Sequence, residues 1–365
     1  MEVLILKTTF NMISKSSKIY IAGHTGLVGS EILKKFSKKG YSNLIYKTHS
    51  ELDLINQQKV MRFFEIEKPE YVIIAAAKVG GIEANNTYRA EFIYNNLMIQ
   101  TNIIHAAYIN NIKKLIFLGS TCVYPKKTPQ PIKEEYLLTS SLEYTNEPYA
   151  IAKIAGIKMC ENYNNQYKTD FISLMPTNLY GSNDNFDLET SHVIPALMRK
   201  IHLAKCLEKN DWREIKNDLE KYPINKLNLN AGHDEVISVL KDYGITKKKV
   251  EIWGSGLPRR DFLWSADLAE ACLFVLDHFS AIQNFGSQNT NSHINIGTGN
   301  EISIKELCLL IKNIVNYNGS FYFNDSKPDG TMRKQIDIEK IKKMGWKPSI
   351  TLEKGLKKMY KFYKN

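Results

Sequence analysis

KIYIAGHTGLVGSEILKKFSKKG, residues 18–40, decides how the chain is read. KIYIAG is a short apolar run of the kind that forms a buried strand. GHTGLVG then sets Gly23, Gly26 and Gly29 at even spacing, and from about Ser30 to Lys39 the apolar residues recur at helical spacing until Gly40 closes the pattern. A strand, a glycine turn and a helix in succession aim free backbone N–H groups at whatever lies beyond the helix N-terminus. That is where a phosphate docks. The glycines allow the tight turn, close approach to a pyrophosphate, and close packing of helix on strand. The first gap is one residue longer than in the dinucleotide fingerprint, and glycine spacing alone is a weak signal. With strand and helix both legible beside it, nucleotide binding is favoured over a purely structural turn, with Gly23, Gly26, Leu27, Val28 and Gly29 as its contacts.

Outward from this stretch the pattern alternates. Strands are expected at residues 43–48, 71–77, 114–120 and 171–181, and helices at residues 57–67, 90–110 and 146–167. Such alternation implies an α/β fold: a doubly wound, Rossmann-like parallel sheet covered on both faces. Ligands in these sheets bind beyond the carboxyl ends of the strands. The loops 77–81 and 119–124 lie there, and Leu118, Gly119 and Thr121 are counted among the cofactor contacts. The second strand ends without an acid to grip a ribose 2′-hydroxyl. Lys47 and His49 stand in that region instead and suit a 2′-phosphate, hence NADP rather than NAD, although both could simply be solvated; Asp53 is an adenine contact.

The chemistry is expected in NEPYAIAK, residues 146–153. On a helix, Tyr149 and Lys153 share a face about one turn apart. An ammonium beside a phenol stabilises the phenolate and lowers a pKa near 10, which makes tyrosine a usable general acid. Tyr-x-x-x-Lys also recurs by chance, so its company matters. Ser120 and Thr121 offer hydroxyls to a carbonyl. Cys122 offers a thiol, which is either a small buried hydrophobe or a base. His192 opens a helical pattern at SHVIPALMRK and gains weight only together with Cys122.

Bulk properties narrow the classes. The chain has 365 residues, long enough for a large domain with a second lobe, and it shows no internal repeat or low-complexity tract. Five scattered cysteines without metal-ligand pairing read as free thiols in a reducing compartment, with no metal site. No apolar run reaches bilayer length, and the N-terminus lacks a cleavage pattern, so a cytoplasmic location away from membranes is expected. Residues 1–17 read as a loose arm, and Met12 is a candidate for the true start. The formal charge of +11 comes from scattered rather than striped lysines, which favours a polyanionic small ligand over nucleic acid.

GHTGLVGS, AAAKVGGIEANNTY, GSTCVYP, NEPYAIAKIAGIKMCE, MPTNLYG, SHVIPALMRK, WGSG followed by RDFL, HINIGTG and SKPDGTMRK occur in that order. From Lys18 onward the chain resembles the GDP-L-fucose synthases, of the extended short-chain dehydrogenase/reductase superfamily. The resemblance implies epimerisation of two carbons beside the ketone of a GDP-4-keto-6-deoxy sugar, then reduction by NADPH at the same site. Tyr149 would protonate the oxygen, Lys153 would hold the nicotinamide ribose, and Ser120 would orient the ketone. Cys122 and His192 would be base and acid of epimerisation. Pro176, Thr177, Asn178 and Leu179 would line the cofactor. His192, Lys200, Trp253, Arg260 and Asp329 would hold the GDP-sugar, with Trp253 open to a second reading as core packing. The helices at residues 90–110 and 146–167 would form a homodimer interface.

Three departures stand out. Thr25 and His49 replace arginines common at the 2′-phosphate, Lys200 replaces another arginine, and residues 203–249 are longer than the family's connection. In that segment Trp212, Ile215, Leu219 and Tyr222, and then Val236, Val239, Leu240 and Tyr243, mark two short helices. They form either a surface excursion docked by one apolar stripe, the preferred reading, or a lid near an enlarged sugar pocket. The expected organisation is a nucleotide-binding domain over residues 18–180 returning at 262–280, and a smaller α/β substrate lobe over 181–261 and 281–365. A bifunctional epimerase-reductase needs Cys122, His192 and Tyr149 together. A reductase for a related GDP-sugar, such as a heptose, needs only the Tyr149 group. A non-catalytic nucleotide sensor would be expected to lose Tyr149 or Lys153.

Overall fold

The structure is a computed structural model that describes residues 12–225, 227–228, 231–281, 291–327 and 329–365. β1 (Ile19–Ala22) is buried along its whole length, as a strand covered on both faces must be. α1 (Leu27–Lys38) begins inside the glycine turn rather than near Ser30, because Gly26 itself serves as its N-cap. The first half continues through β2 (Leu44–Ile45), α2 (Gln57–Glu67), β3 (Tyr71–Ile74), α3 (Ile82–Thr87), α4 (Arg89–Ile109), β4 (Lys114–Leu118), α5 (Glu147–Tyr167), β5 (Phe171–Pro176) and β6 (Asn178–Tyr180). The second comprises α6 (Val193–Lys209), α7 (Trp212–Lys221), α8 (His233–Asp242), β7 (Lys249–Trp253), β8 (Arg259–Trp264), α9 (Ser265–His278), β9 (Ile294–Ile296), β10 (Glu301–Ser303), α10 (Ile304–Val315), β11 (Ser320–Asn324), β12 (Arg333–Lys334), α11 (Glu339–Lys343) and α12 (Leu352–Lys364).

Among the described residues the main sheet runs β2-β1-β3-β4-β5-β9, with every pairing parallel. The chain leaves β1 for β2 and then crosses back to β3, so the strand order reverses between β1 and β3. Loops diverge at such a switch point and leave a crevice. The expected strand over residues 171–181 is two strands: the main sheet ends at Pro176, and β6 swings away to pair with β8. β8 also carries β10 and β12, while β7 and β11 pair separately.

Two hydrophobic clusters fill the molecule. One lies around the main sheet and includes Ile21, Ile74, Phe117, Leu174 and Leu268; the other joins α6, α7, α8, β7, α10 and α12 through residues such as Met198, Ile215, Leu240, Ile252 and Leu307. Two sequence expectations need correction. β9 belongs to the main sheet, not the second lobe, because its three residues are too short to read as a strand. The arm ends by Met12: Ile13 is buried in the first cluster and its N–H donates to Asp277 Oδ1 at 3.1 Å, whereas residues 1–11 lie outside the described residues. All five cysteines are free and buried, in accord with the sequence.

Both helices of the long segment form, as α7 and α8. They are welded in place: Arg199 on α6 is fully buried, donates from Nε to Asp218 Oδ1 on α7 at 3.0 Å, and donates to the carbonyls of Phe186 and Tyr222. Tyr363 on α12 donates its hydroxyl to the other Asp218 oxygen. Trp212 stacks on His233 at 3.7 Å, binding α7 to α8. The apolar stripe of α7 is therefore reinforced by a buried ion pair to α6.

Candidate active site

The glycine turn provides a cradle. A Cβ at Gly23 would meet the Ala76 nitrogen at 2.6 Å, and one at Gly29 would run into the Gly23 carbonyl, so both positions require glycine for close packing. Gly23 also has φ +85°, in the left-handed region. A Cβ at Gly26 would meet nothing nearer than 3.6 Å, and no side chain caps α1. The uncapped N–H groups of a twelve-residue helix thus face an exposed glycine, which suits a diphosphate. Beside the turn, the His24 ring lies tilted against Tyr46, centroids 4.6 Å apart, with a buried Nδ1 that has no partner among the described residues. Further out, His49 Nδ1 stands 3.9 Å from Asp53 Oδ1, Lys47 is half-buried and His49 exposed. Asp53 Oδ1 also accepts from the Ile55 N–H at 3.0 Å, so one of its oxygens is already engaged.

Buried polar residues of α4 hold the facing loops. Asn96 exchanges hydrogen bonds with the backbone of Lys78, and Asn102 donates to the Leu54 and Ile55 carbonyls. Sequence reading missed both, although polar side chains among the apolar residues of a long helix are a usable signal. Deeper in, Thr177 and Asn178 donate side-chain hydrogen bonds to the Asp261 carbonyl, each at 3.0 Å. That fixes the chain between Pro176 and Leu179 where β6 departs.

α5 presents the reacting pair. Pro148 sits in its first turn, where a missing N–H costs nothing. Gly156 lets the helix close on β4, since a Cβ there would meet the Phe117 ring at 2.5 Å. Lys153 is buried and its Nζ donates to the Leu118 carbonyl at 2.8 Å, while lying 5.7 Å from the Tyr149 ring centre. The Tyr149 hydroxyl makes no hydrogen bond among the described residues. Burial pushes the Tyr149 phenol above its usual pKa and pulls Lys153 down to about 8. The expected lowering of the phenol is therefore not met in the resting protein: desolvation outweighs an ammonium that has turned toward a backbone carbonyl.

Ser120 precedes a tight turn over Thr121–Val123, and its Oγ accepts from the Cys122 N–H at 3.4 Å. Cys122 is buried, which pushes its thiol up, but Lys334, Ser120 and Lys153 oppose that effect in this order. The structure thus gathers Ser120, Cys122, Tyr149 and Lys153 at the end of β4, the first two joined by that hydrogen bond and Lys153 reaching the Leu118 carbonyl beside the Tyr149 ring; the charge of Lys334, which sequence reading missed, also bears on the thiol. His192 is the N-cap of α6, not a helical residue; its imidazole makes no capping bond and is exposed to solvent. Partial desolvation by neighbouring protein holds its pKa below the ordinary value. The Gly81 N–H donates to the Thr190 carbonyl at 3.3 Å, tying the approach to His192 to the loop after β3. No hydrogen bond or ion pair joins His192 to Cys122 among the described residues.

Four expected substrate contacts lie in the second lobe. Lys200 reaches only the Glu251 carbonyl, at 3.5 Å. Trp253 is 56 % exposed at the end of β7, with the Lys327 ammonium 5.2 Å from its ring centre, so it is not core packing. Among the described residues Arg260 donates to the neighbouring Arg259 carbonyl alone, with the charges of Asp329 and Glu301 acting on it. Asp329 is engaged internally: it accepts from the Ser255 N–H and hydroxyl at 2.9 and 2.7 Å and closes the glycine turn after Trp253.

The model of the NAD dependent epimerase/dehydratase family matches residues 19–218 and 231–297. GDP-L-fucose synthase 1 of Arabidopsis thaliana is 50% identical over 97% of this chain and 95% of its own length. The chain belongs to the GDP-L-fucose synthase family. Among solved structures, a GDP-6-OMe-4-keto-L-xylo-heptose reductase from C. jejuni matches this family member with TM-score 0.91 and 47% identity, over 97% of this chain and 99% of that one. MlghC, a GDP-mannoheptose C4 reductase from Campylobacter jejuni with NADP bound, matches with TM-score 0.86 and 46% identity over 97% and 100%. The break in the family match runs from the last turn of α7 to just before α8.

Proposed function

We propose that the protein is an NADPH-dependent epimerase-reductase of GDP-linked 4-keto-6-deoxy sugars. The observation that carries this reading is the enclosure of Cys122 in the same cluster as Tyr149 and Lys153. A reductase alone needs no ionisable thiol there. NADPH, bound at the glycine turn, supplies the hydride for the carbonyl carbon. Gly23, Gly26, Leu27, Val28, Gly29, Leu118, Gly119, Thr121, Lys153 and residues 176–179 would hold it, with Lys47 and His49 near the 2′-phosphate and Asp53 near the adenine.

Cys122 as thiolate takes the proton made acidic by the adjacent carbonyl, and His192 returns one to the opposite face of the carbon. Two faces need two groups, which agrees with the separate placement of these side chains. His192 is held neutral in the resting protein; an anionic sugar nucleotide raises an imidazole pKa and so supplies the proton it donates. Ser120 donates to the ketone oxygen, and Tyr149 protonates that oxygen in the reduction. Lys200, Arg260 and Trp253 address the nucleotide end, the cations by charge-assisted bonds to diphosphate and the indole by stacking.

The heptose reductases of comparable identity motivate a second reading, reduction without epimerisation. Incubation in heavy water without NADPH separates the two. Deuterium uptake at the carbons beside the ketone, abolished in Cys122→Ser, is expected; no uptake by the wild type on any 4-keto sugar it goes on to reduce leaves reduction alone. We also read the protein as a cytoplasmic homodimer. In support, α4 packs along α5, and Tyr94 and Ile151 on these helices are 56 % and 41 % exposed. No helix among the described residues is long and apolar enough to cross a membrane.

A further inference from the structure

The geometry points to Tyr124 as a positioning residue: its hydroxyl, clamped from β9, sets the turn that carries Ser120 and Cys122. The assignment rests on the reduction proposed above for that turn. β4 holds the turn at one end, where the Gly119 N–H donates to the Leu174 carbonyl at 2.9 Å. Tyr124 holds the other. It closes the Thr121–Val123 turn with its own N–H, and its ring is buried in the first hydrophobic cluster. The hydroxyl donates to Asn295 Oδ1 at 2.5 Å and lies 3.0 Å from His293 Nε2. Asn295 Nδ2 donates to the Ile132 carbonyl at 3.1 Å, so Oδ1 is the acceptor and takes the one phenolic proton. His293 must then donate from Nε2. Burial pulls its pKa down to about 3 and keeps the ring neutral.

His293 and Asn295 are fully buried and are themselves held in place. The His293 carbonyl accepts from Lys340 Nζ at 2.7 Å, and the Asn295 N–H donates to Glu134 Oε1 at 3.0 Å. Within this group only His293 Nδ1 is a buried side-chain atom without a partner among the described residues. A buried polar network so nearly complete rigidifies its surroundings and specifies one arrangement of them. The same strand holds the cofactor side, because the Ile296 carbonyl accepts from the Thr177 N–H at 2.9 Å. β9 therefore serves as a common post for the turn that would handle the ketone and for residues 176–179, which would line the cofactor. Tyr124 is the side chain that ties the turn to it. A misplacement of about 1 Å between reacting groups can cost about a hundredfold in rate, so the consequence of this tie is kinetic.

The test is Tyr124→Phe, which keeps the ring and removes both side-chain hydrogen bonds. The kcat of ketone reduction is expected to fall by about ten- to a hundredfold, with the KM for the sugar and the Kd for NADPH unchanged. Rates are taken per NADPH-binding site, so that lost folded protein does not count. A tyrosine that merely stabilised the fold would lower the melting temperature and leave kcat per site alone. His293→Gln keeps a donor toward the hydroxyl and should stay near the wild type. His293→Leu should follow Tyr124→Phe, and it carries the measurement if that variant fails to fold. An unchanged kcat per site overturns the assignment. A second readout needs no sugar: the Val123 and Tyr124 amides, which donate to the Ser120 and Thr121 carbonyls at 3.2 and 3.3 Å, should exchange hydrogen faster in Tyr124→Phe while those of α5 do not. Unchanged exchange at the turn also overturns it. Faster exchange in the variant of a chain whose wild type reduces no 4-keto sugar keeps the clamp and removes the proposed reaction.

Discussion

Lys153 is the residue whose environment leaves the clearest mark on activity. Burial lowers its pKa from 10.5 to about 8, so the folded chain releases this proton earlier than the unfolded chain. Between those values the unfolded state binds more protons. The burial of Lys153 therefore costs stability below pH 8, and the cost fades as pH rises toward 10.5. For catalysis the consequence is an alkaline limit. The kcat/KM of reduction, which reports groups of the free enzyme, should fall as pH rises through about 8, and Lys153→Arg should carry whatever activity it retains to higher pH. A flat wild-type profile to pH 9.5 would show that the ammonium is dispensable. The sequence placed Tyr149 and Lys153 on one helical face correctly. The sign of the tyrosine shift in the resting protein was beyond it, because that sign depends on how much protein surrounds the phenol and which way the ammonium turns.

Among the elements, α7 repays attention because one ion pair decides its character. Asp218 is 6 % exposed, and its oxygens accept from Arg199 and Tyr363. Removing one partner of a buried pair leaves an uncompensated charge and costs about 3–5 kcal/mol, whereas replacing both by apolar groups is often nearly neutral. Asp218→Ala should lower the melting temperature sharply, and a second change, Arg199→Met, should restore much of the loss. Thermal unfolding of both variants checks this, with hydrogen exchange of α7 and α8 as the local readout. Full stability of the single variant would mean that the segment is held by its apolar stripe alone. The periodicities of Trp212, Ile215, Leu219 and Tyr222 and of the later quartet revealed both helices. The Arg199–Asp218 contact was invisible, because it joins two helices through a turn whose geometry no residue pattern encodes.

At the scale of the molecule, α4 and α5 pack on each other, yet they keep large side chains such as Tyr94 and Ile151 in solvent. In a dimer through this face, Ile151→Asp would bury a charge against an apolar partner. The variant should elute and scatter light as a monomer, while the wild type gives twice the protomer mass. A dimeric variant, or a monomeric wild type, removes these helices as the interface.

Hydrophobic periodicity and glycine punctuation are local, and they sufficed for the parallel α/β sheet, the glycine turn and both helices of the long segment, while the four-residue spacing of Tyr149 and Lys153 placed that pair on one helical face. The order of the strands follows from chain crossing and packing instead, which is why three-residue β9 joins the main sheet and β6 leaves for β8. Lys334 lies far along the chain from Cys122 and carries no motif of its own. Only the pairing of β12 with β8 sets it opposite Arg260. Trp253 and Asp329 divide in the same way: the family resemblance implied ligand contacts for both, and tertiary structure left one ring in solvent while committing the carboxylate to the turn at Ser255. Residue type and spacing determined which chemistry the chain can carry. Burial and long-range pairing, which set local dielectric and distance, decided which groups are poised to perform it.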